Sequence, residues 1–231
     1  MEIKSVTLHT ESIKEMRKFY VDSFGFPLIN EDENSFRIVI GSNELEFTSE
    51  DVKGKPYYHF AFNIPSNKFD EAKSWVKERV SLNVEDGEDE ADFSHLPAHA
   101  LYFYDPAGNI VEFISRHSIS EEMVEPFSAD KGVLNISEIG LTVDDAIDAG
   151  ERLIDIGIHE RDNSPLTSTT LNFMGDSSKG IFIILTQPER KWIFSDKLSA
   201  IYPLEIITTN NDRIAINSNN LLEVNKNDDK K

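Results

Sequence analysis

H-A-L-Y-F-Y-D-P-A-G-N-I-V-E-F, residues 99–113, is the stretch that sets the fold. Two alternating runs, His99–Tyr104 and Ile110–Phe113, flank the turn formers Asp105-Pro106-Ala107-Gly108-Asn109. Proline presets φ and glycine supplies positive φ, so the stretch reads as a β-hairpin with a short loop. In its second strand Ile110, Glu112 and Ile114 point to one face, and Val111, Phe113 and Ser115 to the other. A lone carboxylate between two isoleucines is costly to bury, so Glu112 needs either solvent or a partner.

Working outward, the hairpin closes a unit that occurs more than once. Residues 57–64 (Y-Y-H-F-A-F-N-I) form a strand with Tyr57, His59, Ala61 and Asn63 on one face and Phe60, Phe62 and Ile64 on the other. A helix over 67–80 follows, and Glu85–Asp92 is an acidic loop or weak edge strand. An earlier copy starts with a strand over 3–10. Its helix opens on Ser12-x-x-Glu15, a capping-box pattern, and carries Ile13, Met16, Phe19, Tyr20 and Phe24 at helical spacing. Gly25 stops that helix, and strands near 27–31, 36–40 and 44–48 complete the copy. A third copy runs from residue 133, with a strand over Glu138–Val143, a helix over Asp144–Ile156 and strands near 168–174 and 181–186.

Aligned, the first strands read S-V-T-L-H-T from Ser5, H-F-A-F-N-I from His59 and E-I-G-L-T-V from Glu138. The last strands carry Glu46, Glu112 and Ile183 at the matching place. The expected fold class is α+β, built of βαβββ modules. Two modules pair in a domain over 1–117, 118–132 is a linker, and 133–217 is a third, degenerate module with a hairpin Ile201–Ile216. Residues 218–231 are a disordered polar tail. A single third module lacks a partner for its sheet. Either that hairpin closes it or two chains pair in a homodimer, and the expectation leans to the dimer.

Composition narrows the function. The 42 acidic against 23 basic residues give a formal net charge of −19, which disfavours nucleic acid and anionic membrane surfaces as partners. With no cysteine there is no disulfide, thiolate metal site or thiol nucleophile. No signal-peptide pattern or membrane-length apolar run is present, so the expected location is cytoplasmic.

The polar-side faces of the strands also hold Ile3, Tyr57, Ile110 and Ile114, too apolar for free exposure to water. A curved sheet enclosing a partly apolar pocket accounts for that mixture. If the first two modules curve around one pocket, Ser5, Glu46, His59 and Glu112 converge there. Two carboxylates and an imidazole in a small cavity repel or take up protons unless a cation joins them. Glu46, His59 and Glu112 are therefore candidate ligands of a divalent ion suited to N and O donors: Zn²⁺, Fe²⁺, Mn²⁺, Co²⁺ or Ni²⁺.

The motif F-Y-x-x-x-F-G-F at Phe19–Phe26, His59 opening H-F-A-F, and D-P-A-G-N-I-V-E-F at 105–113 resemble the vicinal oxygen chelate superfamily. That group includes lactoylglutathione lyase, extradiol ring-cleaving dioxygenases and bleomycin-resistance proteins. The resemblance implies ligands on the first and last strand of each module, at Ser5, Glu46, His59 and Glu112, with Ser5 in place of the usual histidine. It implies that Glu46 acts as a detachable ligand and general base in a lyase or isomerase, and that Tyr102 lies beside substrate in a dioxygenase. His95 and His99 fall near the place of the dioxygenase acid–base histidine.

Three functions fit these residues. One is a metal-dependent lyase, isomerase or ring-cleaving dioxygenase acting on a small molecule through two adjacent oxygens. The second is a metal-free binder of the bleomycin-resistance kind, using aromatics such as Tyr57 and Tyr102. The third is a non-catalytic scaffold. The third module, with Ile183 opposite Glu138, reads as structural.

Overall fold

The computed structural model describes residues 1–93 and 96–227 of the 231. The first module is β1 (Ile3–His9), α1 (Ile13–Arg17), β2 (Leu28–Glu31), β3 (Ser35–Ile40) and β4 (Asn43–Thr48). The second is β5 (His59–Ile64), α2 (Phe69–Lys77), β6 (Ala91–Phe93), β7 (Ala98–Tyr104) and β8 (Ile110–Arg116). After the short α3 (Ala129–Gly132) come β9 (Asn135–Thr142), α4 (Ala146–Asp155), β10 (Asn172–Asp176) and β11 (Ile181–Thr186). The chain ends with β12 (Leu204–Thr208), β13 (Arg213–Ile216) and β14 (Leu222–Asn225). No helix among the described residues is long and apolar enough to cross a membrane.

The strand phase follows the alternation of the sequence. Val6, Leu8, Phe60, Phe62, Val111 and Phe113 are all at most 1% exposed and share one core. At roughly 25 cal/mol per Å² of apolar surface, such burial is the main force holding the sheets to their helices. The helix of the first module widens after Arg17 into a π-type turn over Lys18–Ser23, closed by the Phe24 amide donating to the Phe19 carbonyl at 3.0 Å. The wider turn keeps Phe19, Tyr20 and Phe24 together in the aromatic cluster. Tyr20 then donates from its hydroxyl to Asp105 Oδ2 at 2.8 Å, inside the core. Asp105 also accepts from the amides of Ala107 and Asn109 and from Asn109 Nδ2. The two most characteristic motifs of the sequence are therefore one buried contact between the first two modules.

The modules pair differently from the sequence expectation. The strands form two seven-stranded sheets, ordered β14-β13-β12-β1-β4-β3-β2 and β10-β11-β9-β5-β8-β7-β6. The first module shares its sheet with the C-terminal strands through antiparallel β1·β12, and the second shares its sheet with the third through antiparallel β5·β9. The first and second modules share no sheet and pack face to face in the core, where Phe47 lies 6.5 Å from Phe60 and Phe26 lies 6.0 Å from Phe62. Alternation assigns a residue to a face, but does not say which strand edge meets which.

Two smaller expectations change with this. Ile201–Ile216 extends the first sheet instead of closing the third module, and Leu222–Asn225, placed in the disordered tail, is an edge strand on β13. The third module finds its partner in the same chain, so the reason for expecting a second chain falls away. The β3–β4 turn braces the approach to β9. Ser42 donates its amide to the Leu134 carbonyl at 3.0 Å, and a Cβ on Gly41 (φ +56°) would sit 2.0 Å from that oxygen.

A fragment ending at residue 117 would leave the inner edges of both β1 and β5 bare. It is expected to self-associate or precipitate where the full chain stays in solution. Size-exclusion chromatography of the two checks this, and a well-behaved monomeric fragment would count against the pairing.

Candidate metal-binding site

On β5, Ala61 is in register with Glu112 of β8 on one side and with Glu138 of β9 on the other. Its methyl group leaves room between the two carboxylates, and His59 lies two residues back on the same face. The result is a buried His59–Glu112–Glu138 group whose candidate donor atoms all lie within 4.8 Å of one another. His59 Nε2 is 3.5 Å from Glu112 Oε2 and 3.9 Å from Glu138 Oε2. The other ring nitrogen, Nδ1, lies 3.1 Å from the Ile110 carbonyl. A donor facing that carbonyl fixes the ring and leaves Nε2 to the cavity, as in metal-ligating histidines.

Arg116, four residues beyond Glu112 on β8, bonds Glu138 Oε1 through Nη2 and Asn63 Oδ1 through Nε at 3.2 Å. Glu138 is thereby held by one oxygen while the other faces His59. Tyr102 pairs with Glu112 across β7 and β8 and stacks on Phe194 at 4.9 Å. Trp192 covers His59, their rings 4.9 Å apart. This requires Gly140, where a Cβ would meet the Trp192 ring at 2.9 Å.

Burial dominates the electrostatics. It pushes Glu112 up to about 8, aided by the Glu138 charge and opposed by His59 and Arg116. Glu138 is as deeply buried, yet the attraction of His59 and Arg116 holds it below the usual carboxylate value. At 3.9 Å the His59 contribution is a charge interaction, beyond hydrogen-bond length. Burial works against a charge on His59, but the two glutamates more than offset it and raise the imidazole. Burial, followed by the charges of Glu112 and Glu138, keeps the Tyr102 phenol protonated.

The donor set fits a divalent ion. Two metal bonds of about 2.0–2.2 Å span up to roughly 4.4 Å, so shifts of a few tenths of an ångström bring the three donors to one point. The site opens into a cavity of about 220 Å³ with Phe93, Ile114, Phe173 and Ile184 among its apolar walls. In register, Ile184 pairs with Gly140 as Glu112 pairs with Ala61, so the fourth corner of the site is Ile184, one residue on from Ile183.

The sequence-expected residues divide. His59 and Glu112 come together, and Tyr102 lines the same cavity. Glu46 does not join them. It lies in the other sheet, where its Oε2 accepts from Arg37 at 2.8 Å and from Thr7 at 3.3 Å. Ser5 sits on β1 of that sheet as well, in register with Glu44. His9 faces the Glu50 carbonyl, and His99 lies 2.7 Å from His117 away from the cavity. His95 lies outside the described residues. Glu138, read as part of a structural module, is the third candidate donor. Its alignment with Ser5 and His59 was the available sign, and its missing partner comes from the second module.

Residues 2–113 match the profile of the glyoxalase/bleomycin resistance protein/dioxygenase superfamily, and residues 136–190 match that of the toxoflavin-degrading enzyme. The matched region, residues 2–113, belongs to the glyoxalase/bleomycin resistance protein/dioxygenase superfamily. Among solved structures, a putative dioxygenase from Bacillus subtilis subsp. subtilis str. 168 is similar over all of this chain and 71% of its own, with 13% identity and a TM-score of 0.59. Lactoylglutathione lyase from Agrobacterium tumefaciens covers 48% of this chain and 90% of its own, at 19% identity and a TM-score of 0.42. The oxidase ChaP-H1 covers 50% and 96%, at 19% identity and a TM-score of 0.41. No curated protein matches the chain in sequence. The fold of the Bacillus subtilis structure therefore extends over the whole of this chain.

A metal must displace the protons that Glu112 and His59 hold. Affinity for a divalent ion is expected to rise with pH up to about 8 and then level off, with proton release on binding. Calorimetric titration of Mn²⁺ or Zn²⁺ in buffers of different ionisation enthalpy measures both. Affinity that is flat between pH 6 and pH 8 would remove these groups from the site.

Proposed function

We propose that this protein is a metal-dependent enzyme acting on a small molecule in the cavity between its second and third modules. The carrying observation is the convergence of His59, Glu112 and Glu138 from three neighbouring strands, with His59 turned so that Nε2 faces the cavity. These three residues would hold the ion. When bound, it supplies Lewis-acid polarisation of substrate oxygens.

The chain's own residues divide the remaining work. Arg116 and Asn63 fix Glu138, making it the static carboxylate. Glu112 takes no arginine bond among the described residues, and without an ion burial keeps it protonated up to about pH 8, so it is the carboxylate suited to leave the ion and to take up and return a proton near neutrality. That is the role the sequence reading gave to Glu46, now carried by the second module. Tyr102 stays protonated and can donate a hydrogen bond. Trp192 and Phe194 keep water from the imidazole and the phenol.

One imidazole and two carboxylates differ from the two-histidine, one-carboxylate arrangement of non-haem iron oxygenases. The set favours proton-transfer chemistry or a harder ion such as Mn²⁺ over that oxygenase pattern. The match of residues 136–190 to the toxoflavin-degrading enzyme supports a toxoflavin-like compound as substrate, since this segment supplies Glu138 and Ile184 to the cavity.

A second reading, a metal-free binding protein, draws on one observation. The Arg116–Glu138 pair and a protonated Glu112 satisfy the cluster without a cation.

Elemental analysis and metal titration of the untagged protein decide between the two. His59→Ala and Glu112→Gln are each expected to weaken divalent-ion binding by about 10- to 100-fold or more. Glu46→Gln is expected to leave it unchanged, because Glu46 is in the other sheet. Equal binding by all three variants would sink the metal reading.

A further inference from the structure

We infer that the cavity is selective for a flat aromatic anion of one or two rings, and that Arg190 is the residue that reads its acidic group. The inference rests on the site proposed above and adds the class of ligand.

Charge is the first observation. In a chain of net charge −19, the residues lining this cavity include four cations, Arg116, Arg161, Arg190 and Lys191, against two carboxylates, Glu112 and Glu138. The carboxylates are buried at the floor, whereas Arg161, Arg190 and Lys191 are partly or fully exposed and belong to the rim. Two of the rim cations are already committed. Lys191 pairs with Glu85 at 2.9 Å, and Arg161 lies 3.1 Å from Asp162 and 4.3 Å over the Phe173 ring. Arg190 has no acidic partner among the described residues. Its Nη1 donates only to the Thr169 carbonyl, at 3.3 Å.

The placement of Arg190 is built, not incidental. Its backbone amide donates to Ser199 Oγ at 3.0 Å, and its carbonyl accepts from the Ser199 amide at 2.7 Å. Ser199 is itself buried and donates to the Gln187 carbonyl at 2.7 Å. Two residues on, the Trp192 amide donates to the Lys197 carbonyl at 3.0 Å. The strap over 190–199 is thus a closed hairpin that sets Trp192 on His59, with Arg190 at the rim.

Shape is the second observation. The walls are aromatic and branched aliphatic: Phe93, Tyr102, Phe173 and Trp192 with Ile114 and Ile184. A dry cavity of roughly 150 Å³ accommodates benzene. About 220 Å³ therefore suits one substituted ring or two fused rings. A planar guanidinium recognises a carboxylate by a forked pair of hydrogen bonds, which a lysine cannot reproduce.

The test compares two probes on the full-length protein under nitrogen, with and without added Mn²⁺, by tryptophan fluorescence and calorimetry. One is 6,7-dihydroxynaphthalene-2-carboxylate; the other is 2,3-dihydroxynaphthalene, the same rings and vicinal oxygens without the acid. The carboxylate is expected to bind about tenfold tighter at low ionic strength, as one charge-assisted contact provides. Arg190→Gln is expected to abolish that preference without weakening the neutral diol, and Arg190→Lys to restore only part of it. Equal binding of the probes, no binding of either, or a preference that survives Arg190→Gln overturns the inference. Failure of the site reading shows separately, as unchanged binding of both probes to His59→Ala.

Discussion

The antiparallel contact between β5 and β9 is the interaction on which the site depends. It sets Ala61 between Glu112 and Glu138, which are far apart in sequence and come from different modules. Each glutamate alone would be an expensive buried charge. Together with His59 and Arg116 they form a network that lowers that cost, because every charged group has an opposite neighbour. The small side chains at Ala61 and Gly140 are part of the same contact. One leaves the space that the donors face, and the other lets Trp192 close over the imidazole.

The two sheets have diverged on a common plan. In the sheet of the first module, the face away from the core is a water-facing ladder of ion pairs. Arg37 bridges Glu44 and Glu46, and Arg213 bridges Glu205 and Glu223. Such partly exposed pairs contribute little each, typically 0–1 kcal/mol, and keep the sheet face in solution. In the other sheet the equivalent face, which carries Tyr102, is covered by Trp192 and Phe194 and encloses the cavity. One sheet supports; the other carries the chemistry. The difference lies in what covers the face. Among the described residues the strap over 190–199 has no counterpart over the ladder of ion pairs, whose charged side chains keep contact with water, whereas beneath the strap His59, Glu112 and Glu138 are buried.

The strap is tied at both ends to the second module. Glu85 accepts from the Phe194 amide at 2.9 Å and pairs with Lys191, and Asn83 donates to the Phe194 carbonyl at 2.8 Å. Tyr104 bonds Ser195 and Asp196, and Lys197 reaches the Gly108 carbonyl in the loop of the hairpin. The acidic segment after α2, which in sequence looks like a solvated loop, thus holds the cover of the cavity in place.

Much of this protein was legible in the chain itself. The 2-residue period of β5 and β8 placed Phe60, Phe62, Val111 and Phe113 in the core, and the same period put His59 and Glu112 on the other face. Those are local properties, carried by pleat geometry and by the cost of exposing aromatic side chains. Aligned repeats even set Glu138 beside His59 in kind. What the sequence did not carry was the choice of edge. The backbone N–H and C=O groups on the edges of β1, β5, β9 and β12 are chemically alike, so alternation cannot tell which two will pair. Tertiary structure decided it, through the back-to-back packing of the first two modules around Tyr20 and Asp105 and the bracing of Leu134 by the Gly41 turn. With that choice Glu46 went to the water-facing ladder and Glu138 to the buried site.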